Sequence, residues 1–302
     1  MNTSFAKLFL SVLFLITVAA NAQNLSEKLP VDPNVKIGKL SNGLTYYIRQ
    51  NKKPENKAEL RLVVNAGAVL EDNDQQGLAH FTEHMAFNGS THFKKNELVS
   101  ALQNMGIEFG ADLNAYTGFD ETVYILPVPL SDTGNLRKGL TVLQDWAGGL
   151  AFDNDQIDGE RGVVLEESRL GKGADDRMFR KIYPVQYAGS KYAVRLPIGK
   201  DSIIKNAKYD VVKRFYKEWY RPNLMAVIVV GDIDPAKVES LIKEYFSGLK
   251  NPAKQRVREA VKVPARTKSE AIAVTDKEAT NYFVQVDYPV TAMRMPRQIT
   301  SW

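Results

Sequence analysis

The stretch Gly77-Leu-Ala-His-Phe-Thr-Glu-His-Met-Ala-Phe-Asn-Gly-Ser90 decides how this chain folds and what it can bind. Its apolar side chains are sufficient to bury one side of a helix, and Asn88-Gly89 is a typical helix stop, so the stretch predicts a helix over residues 76–87. His80 and His84 are four residues apart and therefore lie on one face of that helix. Two imidazoles on one face can bind the same metal ion.

Glu83 lies beside that face, where a carboxylate could take a proton from a metal-bound water. The order His-x-x-Glu-His is the inverse of the commoner His-Glu-x-x-His motif of zinc peptidases. The alternative is an ordinary surface helix that happens to carry two histidines, because short motifs have false positives. The composition favours the metal, since the motif uses two of the only three histidines in the chain.

A hydrolytic zinc site needs a third protein ligand, and the chain offers two kinds of candidate. His92 is the remaining histidine, but nothing in its spacing directs it towards the helix. A second predicted helix, ending at Leu170, carries Glu160 and Glu167 seven residues apart and hence on one stripe. Glu166 is turned about 100° away from Glu167. The absence of cysteine excludes thiolate ligands, disulfides and a cysteine nucleophile.

Composition limits the other functional classes. The chain has 302 residues, of which 44% are hydrophobic and 25% charged, as is ordinary for a globular protein. A formal charge of +5 is spread without a basic patch, so it gives no support for nucleic-acid binding.

Residues 1–22 are typical of a secretory signal. Lys7 gives the N-terminal region its positive charge, and an apolar run follows over residues 8–20. Ala20-Asn21-Ala22 then matches the small-x-small pattern of a cleavage site. We therefore expect an exported, periplasmic or secreted bacterial protein whose mature chain begins at Gln23 and keeps no membrane anchor. An uncleaved anchor is the alternative.

Hydrophobic periodicity predicts alternating strands and helices without strict βαβ order, which favours an α+β fold with helices covering an antiparallel or mixed sheet. An Asn42-Gly43 turn predicts a hairpin between strands 35–40 and 44–50. Asn96 is the predicted cap of a helix over 97–105, and residues 115–118 are predicted to connect strands 107–114 and 121–128. The remaining predicted strands are 58–66, 224–230 and 282–290. The remaining predicted helices are 132–150, 153–170 (or from 155), 175–187, 209–220 and 235–246.

Together these motifs resemble the pitrilysin/insulinase family of zinc peptidases, which includes the mitochondrial processing peptidases. The resemblance covers most of the chain and lies in the His80–His84 motif, the Glu160-Arg-Gly-Val-Val-Leu-Glu-Glu167 stretch, Asn114-Ala-Tyr-Thr, Tyr220-Arg-Pro-Asn-Leu and Gly231-Asp-Ile. It is closest to exported bacterial members of the family. It implies a processing-peptidase-type, LuxS-like metallohydrolase unit.

The resemblance also implies roles for single residues. His80, His84 and Glu167 would bind one zinc ion, and Glu83 would be the general base. Glu160 would be a second carboxylate of the catalytic site that supports the ligands. His92 matches no ligand of the family. The spacing from His84 to Glu167 is several residues longer than is typical, which a loop over 127–135 could accommodate.

The backbone of Asn114 and Ala115 would pair with an extended substrate by strand addition. The substrate would be a peptide or unfolded protein, cleaved by a zinc-bound water that Glu83 activates. The alternative is a non-catalytic peptide-binding or assembly subunit of a two-part peptidase. Two histidines and a glutamate also suit manganese or cobalt.

The resemblance implies a domain plan as well. Residues 35–250 would form the catalytic zinc-peptidase domain, and residues 251–302 a linker and the beginning of a truncated second domain. Members of the family close two similar halves around a chamber. We therefore expect a second peptidase half, either as a missing C-terminal region or as a partner chain.

Overall fold

The computed structural model of the chain describes residues 30–107 and 114–288. The signal segment, most of the strand predicted over 107–114 and the final stretch 292–302 lie outside the described residues.

The described residues form one mixed sheet of six strands, in the order β1-β2-β6-β3-β5-β4. The strands are β1 (Val35–Lys39), β2 (Thr45–Gln50), β3 (Lys57–Val64), β4 (Asn114–Thr117), β5 (Thr122–Pro129) and β6 (Met225–Gly231). The predicted hairpin is confirmed, since β1 and β2 pair antiparallel around Gly43, whose φ is 94°. The pairing of β2 with β6 is parallel, and all other pairs are antiparallel.

Eight α-helices in the described ranges cover this sheet, which confirms the predicted α+β class. They are α1 (Leu78–Met85), α2 (Glu97–Asn104), α3 (Asn135–Gly148), α4 (Asn154–Leu170), α5 (Ala174–Gln186), α6 (Asp201–Asn206), α7 (Tyr209–Trp219) and α8 (Pro235–Phe246). Helix α8 begins where Pro235 predicts, and the Asp234 carboxylate caps it by accepting from the Ala236 and Lys237 amides.

Two apolar clusters fix the helices in place. The larger one joins the sheet to α3 and α8 and contains fully buried residues such as Leu60, Val227 and Trp146. The smaller one lies between α1, α4 and the helices that follow. Its members include Leu78, Phe81, Met85, Ile157 and Val164. Burial of each such side chain contributes roughly 1.5–3 kcal/mol, so the packing of α1 on α4 is strongly favoured.

Three local predictions differ from the structure, the first of them only in part. Asn96 is the N-cap residue of α2, and its carbonyl accepts from the Ser100 amide. Its side chain makes no capping bond, since its backbone is left-handed with φ of 68°, and the Glu97 carboxylate accepts from the Lys94 amide. The residues after Asn114 extend β4 to Thr117 rather than forming a turn, and the turn begins at Gly118, whose amide donates to the Glu121 carbonyl.

The third local prediction that differs from the structure is the strand over residues 282–290. Residues 282–288 carry no strand, since none of the described strands pairs with them, and Tyr282 and Val284 are exposed. In the described part of the chain, no helix is both long and apolar enough to cross a membrane.

Candidate metal centre

Helix α1 is anchored at its start by a carboxylate from the preceding loop. Oε1 of Glu71 accepts hydrogen bonds of 2.9 Å from the amides of Gly77 and Ala79, which satisfies donors that the helix itself leaves free. Burial raises the pKa of Glu71 to about 8, although these two bonds oppose the shift. Gly77 (φ 100°) also packs so closely on Gly199 that a Cβ on Gly199 would lie 2.2 Å from the Gly77 Cα.

This helix brings His80 and His84 together with Glu167 from α4. The two Nε2 atoms are 3.3 Å apart, Oε2 of Glu167 is 3.2 Å from His84 Nε2, and its Oε1 is 3.6 Å from His80 Nε2. Ligands placed tetrahedrally about 2.0–2.1 Å from a zinc ion lie about 3.3 Å from one another. The three donors therefore have the separations that one zinc ion requires, and no other group of this kind occurs in the described residues.

Glu160 sets the orientation of the His84 ring. Its Oε1 lies 2.7 Å from His84 Nδ1, so Nδ1 donates and the Nε2 lone pair faces the cluster. Burial lowers the pKa of His84, but the bond and the charge of Glu160 outweigh it, and the net effect raises that pKa above its usual value. The same contact and an Asn88 amide bond lower the pKa of Glu160 despite burial.

His80 is also suited to binding a cation as a neutral imidazole. Burial and the neighbouring His84 lower its pKa to about 4, against the opposing charge of Glu167. Its Nδ1 is buried and has no hydrogen-bond partner among the described residues. Only one of the two imidazoles is thus held by a second carboxylate.

Glu83 is buried beside this cluster. Its Oε2 accepts a hydrogen bond of 2.5 Å from the hydroxyl of Thr117 in β4. Burial raises its pKa, while the Thr117 bond and the charge of His84 lower it. A carboxylate with a raised pKa next to a metal centre has the properties of a general base.

Two other residues weighed from the sequence lie outside the cluster. Glu166 is paired with Arg169 on the exposed side of α4. His92 Nδ1 is 2.7 Å from Asp145 Oδ1, and Asp145 also accepts from Ser90 and from the His92 amide. The contacts of His92 with Asp145 therefore hold the loop that follows α1 against helix α3.

Asn114 and Ala115 lie at the free edge of the described sheet. β4 pairs with β5 on one side, and no described strand covers its other side. Asn114 is exposed and Ala115 is half-buried. An uncovered edge offers backbone groups to an extended peptide.

Sequence reasoning missed three residues around the centre: Glu71, Asn88 and Thr117. Asn88 follows His84 by four residues, and helical spacing could have placed it on the same side. Thr117 ends the Asn114-Ala-Tyr-Thr motif, which gave a weak signal. Nothing local to Glu71 indicates its contact with α1.

The fold and the donor set define an α+β domain with a two-histidine, one-carboxylate centre suited to a divalent metal. The donor separations, the available Nε2 atom of His84 and the low pKa of His80 all fit zinc. Two family matches agree with this description. Residues 46–188 match "Insulinase (Peptidase family M16)", and residues 206–294 match "Peptidase M16 inactive domain". The chain belongs to the M16 insulinase family of peptidases.

Its relatives include proteins named as zinc proteases. The chain is 42% identical over 240 residues to "Probable zinc protease PqqL" of Haemophilus influenzae, covering 80% of this chain and 26% of that protein. It is 36% identical to "Zinc protease PQQL-like" of Arabidopsis thaliana, covering 85% and 27%. The crystal structure of the first half of the periplasmic protease PqqL from Escherichia coli matches with a TM-score of 0.75 and 34% identity, covering 80% of this chain and 51% of that one.

The chain therefore spans about a quarter of the length of these curated relatives. The second family match begins at residue 206 and thus includes α7, β6 and α8. The structure places β6 between β2 and β3, so these residues complete the sheet of the first match.

Proposed function

We propose that this chain supplies the catalytic unit of a zinc-dependent metalloendopeptidase acting on peptides or unfolded proteins. The observation that carries the proposal is the convergence of His80, His84 and Glu167, whose donor atoms lie within 4.8 Å of one another. The names of the relatives support zinc as the metal.

His80, His84 and Glu167 would hold the ion. When bound, zinc lowers the pKa of a water molecule to about 7 and polarises a carbonyl group. Glu83 accepts a proton from the attacking water and returns it to the leaving amine, which is general base and then general acid catalysis. Glu160 keeps the His84 ring in the tautomer that the site needs.

The substrate would bind as an added strand along β4. The backbone of Asn114 and Ala115 would pair with an extended peptide, which would favour unfolded chains over folded ones as substrates. Thr117 at the end of this strand contacts Glu83, so the paired peptide lies beside the base.

A second peptidase half would complete the chamber. Its support is the length of the relatives, of which this chain spans about a quarter. We assign residues 35–250 to the catalytic domain and residues 251–302 to a linker and the beginning of a second domain. Two observations support export to the periplasm: residues 1–22 are typical of a secretory signal, and the Escherichia coli relative is described as a periplasmic protease.

Elemental analysis and peptide cleavage test the proposal together. The purified chain should contain one zinc per molecule, and His80→Ala should contain none. Cleavage of an unstructured fluorogenic peptide should stop on adding a chelator and return with zinc. A chain that binds zinc and peptide without cleaving it would favour the non-catalytic subunit instead. A chain without zinc would contradict both the metal assignment and the reaction.

A further inference from the structure

Asn88 closes a ring of hydrogen bonds around one side of the metal centre. Its Nδ2 donates to Oε2 of Glu160 at 2.7 Å and to the backbone carbonyl of His84 at 3.1 Å. Oε1 of the same Glu160 accepts from His84 Nδ1. The ring thus runs from the His84 backbone through Asn88 and Glu160 back to the His84 side chain.

The chemistry of this ring leaves one orientation for each group. Both partners of the Asn88 amide nitrogen are acceptors, so the amide must present its NH₂ side to them. Asn88 uses one hydrogen for each acceptor, and Glu160 uses one oxygen for each donor. Both residues are largely shielded from solvent, with side-chain exposure of 13% for Glu160 and residue exposure of 8% for Asn88. Water therefore competes poorly for these bonds.

The ring acts on the imidazole that has a carboxylate partner. His80 has none at its Nδ1 among the described residues, whereas His84 depends on Glu160 for its tautomer. A Glu160 side chain held only by His84 could rotate away, and the His84 ring would lose its orientation with it. Asn88 prevents that rotation by tying Glu160 to the same helix that carries His84.

We propose that Asn88 is a positioning residue of the metal centre, which clamps Glu160 against His84 so that the His84 Nε2 lone pair stays directed at the ion. This inference rests on the proposed function only in taking His80, His84 and Glu167 as ligands. It adds a residue that touches neither metal nor substrate and acts through Glu160.

Zinc affinity of the 302-residue chain is the first test, measured by competition with a chromophoric chelator. Asn88→Ala should bind zinc about tenfold more weakly, which is the lower end of the roughly 10–100-fold loss that is typical when the partner of a ligand, here Glu160, no longer holds it. Asn88→Asp has the same size, lacks the donors and should lose at least as much. Ser90→Ala is the matched control, because Ser90 lies in the same loop but contacts Asp145 instead. It should bind zinc like the wild type.

A double-mutant cycle separates positioning from general destabilisation. In a Glu160→Ala background, Asn88→Ala should change zinc affinity less than twofold, because the residue through which it acts is gone. An equal tenfold loss in both backgrounds would overturn the inference. An equal loss of zinc affinity in Asn88→Ala and Ser90→Ala would also overturn it, provided that the two variants have the same melting temperature without metal.

The tautomer of His84 gives a readout that needs no metal. Nitrogen-15 NMR of the metal-free chain at about pH 9 should find the Nδ1-protonated form in the wild type and a mixture in Asn88→Ala. An unchanged tautomer together with unchanged zinc affinity would contradict the role of Asn88. A wild-type chain that binds no zinc contradicts the proposed function, and the tautomer then decides the role of Asn88 by itself.

Discussion

The hydroxyl of Thr117 donates a hydrogen bond of 2.5 Å to Oε2 of Glu83. Thr117 is the last residue of β4, the uncovered edge of the sheet, and Glu83 lies between the two histidines of the metal centre. One contact therefore joins the strand on which a peptide would pair to the carboxylate that would take the proton. The same hydroxyl lies 3.4 Å from the Thr122 hydroxyl across the β4–β5 pair.

Thr117→Val should retain zinc and lower kcat by about tenfold or more, because a hydrogen bond to a charged group contributes roughly 1.5–3 kcal/mol. Thr117→Ser keeps the hydroxyl and should restore most of the rate. Peptide-cleavage kinetics on zinc-loaded protein measure both. Equal losses in the two variants would mean that the hydroxyl alone does not account for the role of Thr117, because Thr117→Ser keeps it.

Glu83→Gln should keep one zinc per chain and lose peptide hydrolysis by at least about 10²-fold, because an amide cannot accept the proton from water. Metal content and cleavage rate are measured on the same preparation. Glu166→Gln is the matched control, since Glu166 is paired with Arg169 away from the centre and its activity should be unchanged. Loss of zinc in Glu83→Gln would make Glu83 a ligand instead.

The two motif histidines should titrate far apart in the metal-free protein. Burial and His84 hold the pKa of His80 at about 4, while Glu160 keeps that of His84 above its usual value. Proton NMR of the C2–H resonances measures both. Glu160→Gln should lower the pKa of His84 and leave His80 low, and two coincident titrations near the ordinary histidine value would contradict the described burial.

Stability should fall as the pH rises from about 5 to about 8, owing to Glu71. The folded protein holds the proton of Glu71 up to a pKa of about 8, whereas the unfolded chain releases it near the ordinary glutamate pKa of 4.5. In that window the folded state binds more protons, so raising the pH favours unfolding. Glu71→Gln can still accept the Gly77 and Ala79 amides and should flatten this dependence.

Urea unfolding at pH 5 and pH 8.5 checks the effect of Glu71. The difference in free energy of unfolding between the two pH values should be smaller in Glu71→Gln than in the wild type. Glu55→Gln, a change at an exposed loop position, is the control and should leave the difference unaltered. An identical pH dependence in Glu71→Gln would show that Glu71 is ionised in the folded protein.

The elements that could be predicted from the sequence are those fixed by local patterns. Asn42-Gly43 determines the hairpin, Pro235 begins α8, and helical spacing places His80 with His84 and Glu160 with Glu167. These patterns depend on residues a few positions apart. Spacing left His92 and the glutamates of α4 as candidates for the third ligand. The family resemblance, rather than spacing, indicated Glu167.

The contacts that could not be predicted join distant parts of the chain. Glu71 reaches the start of α1 through a loop, and Asn88 meets Glu160 only because α1 and α4 pack together. The predicted strand 282–290 has the composition of a strand, yet none of the described strands pairs with its described residues. A strand depends on a partner, which a local pattern does not supply.

The parallel pairing of β2 with β6 has a consequence for how the chain folds. Thr45 lies opposite Ala226, so the strand that fills the middle of the sheet is made long after its neighbours. Contacts between such distant residues make folding slow, because the loop between them must close first. Strands β2 and β3 therefore lack the strand that lies between them until the chain has been made as far as residue 231, and the sheet cannot close before that point.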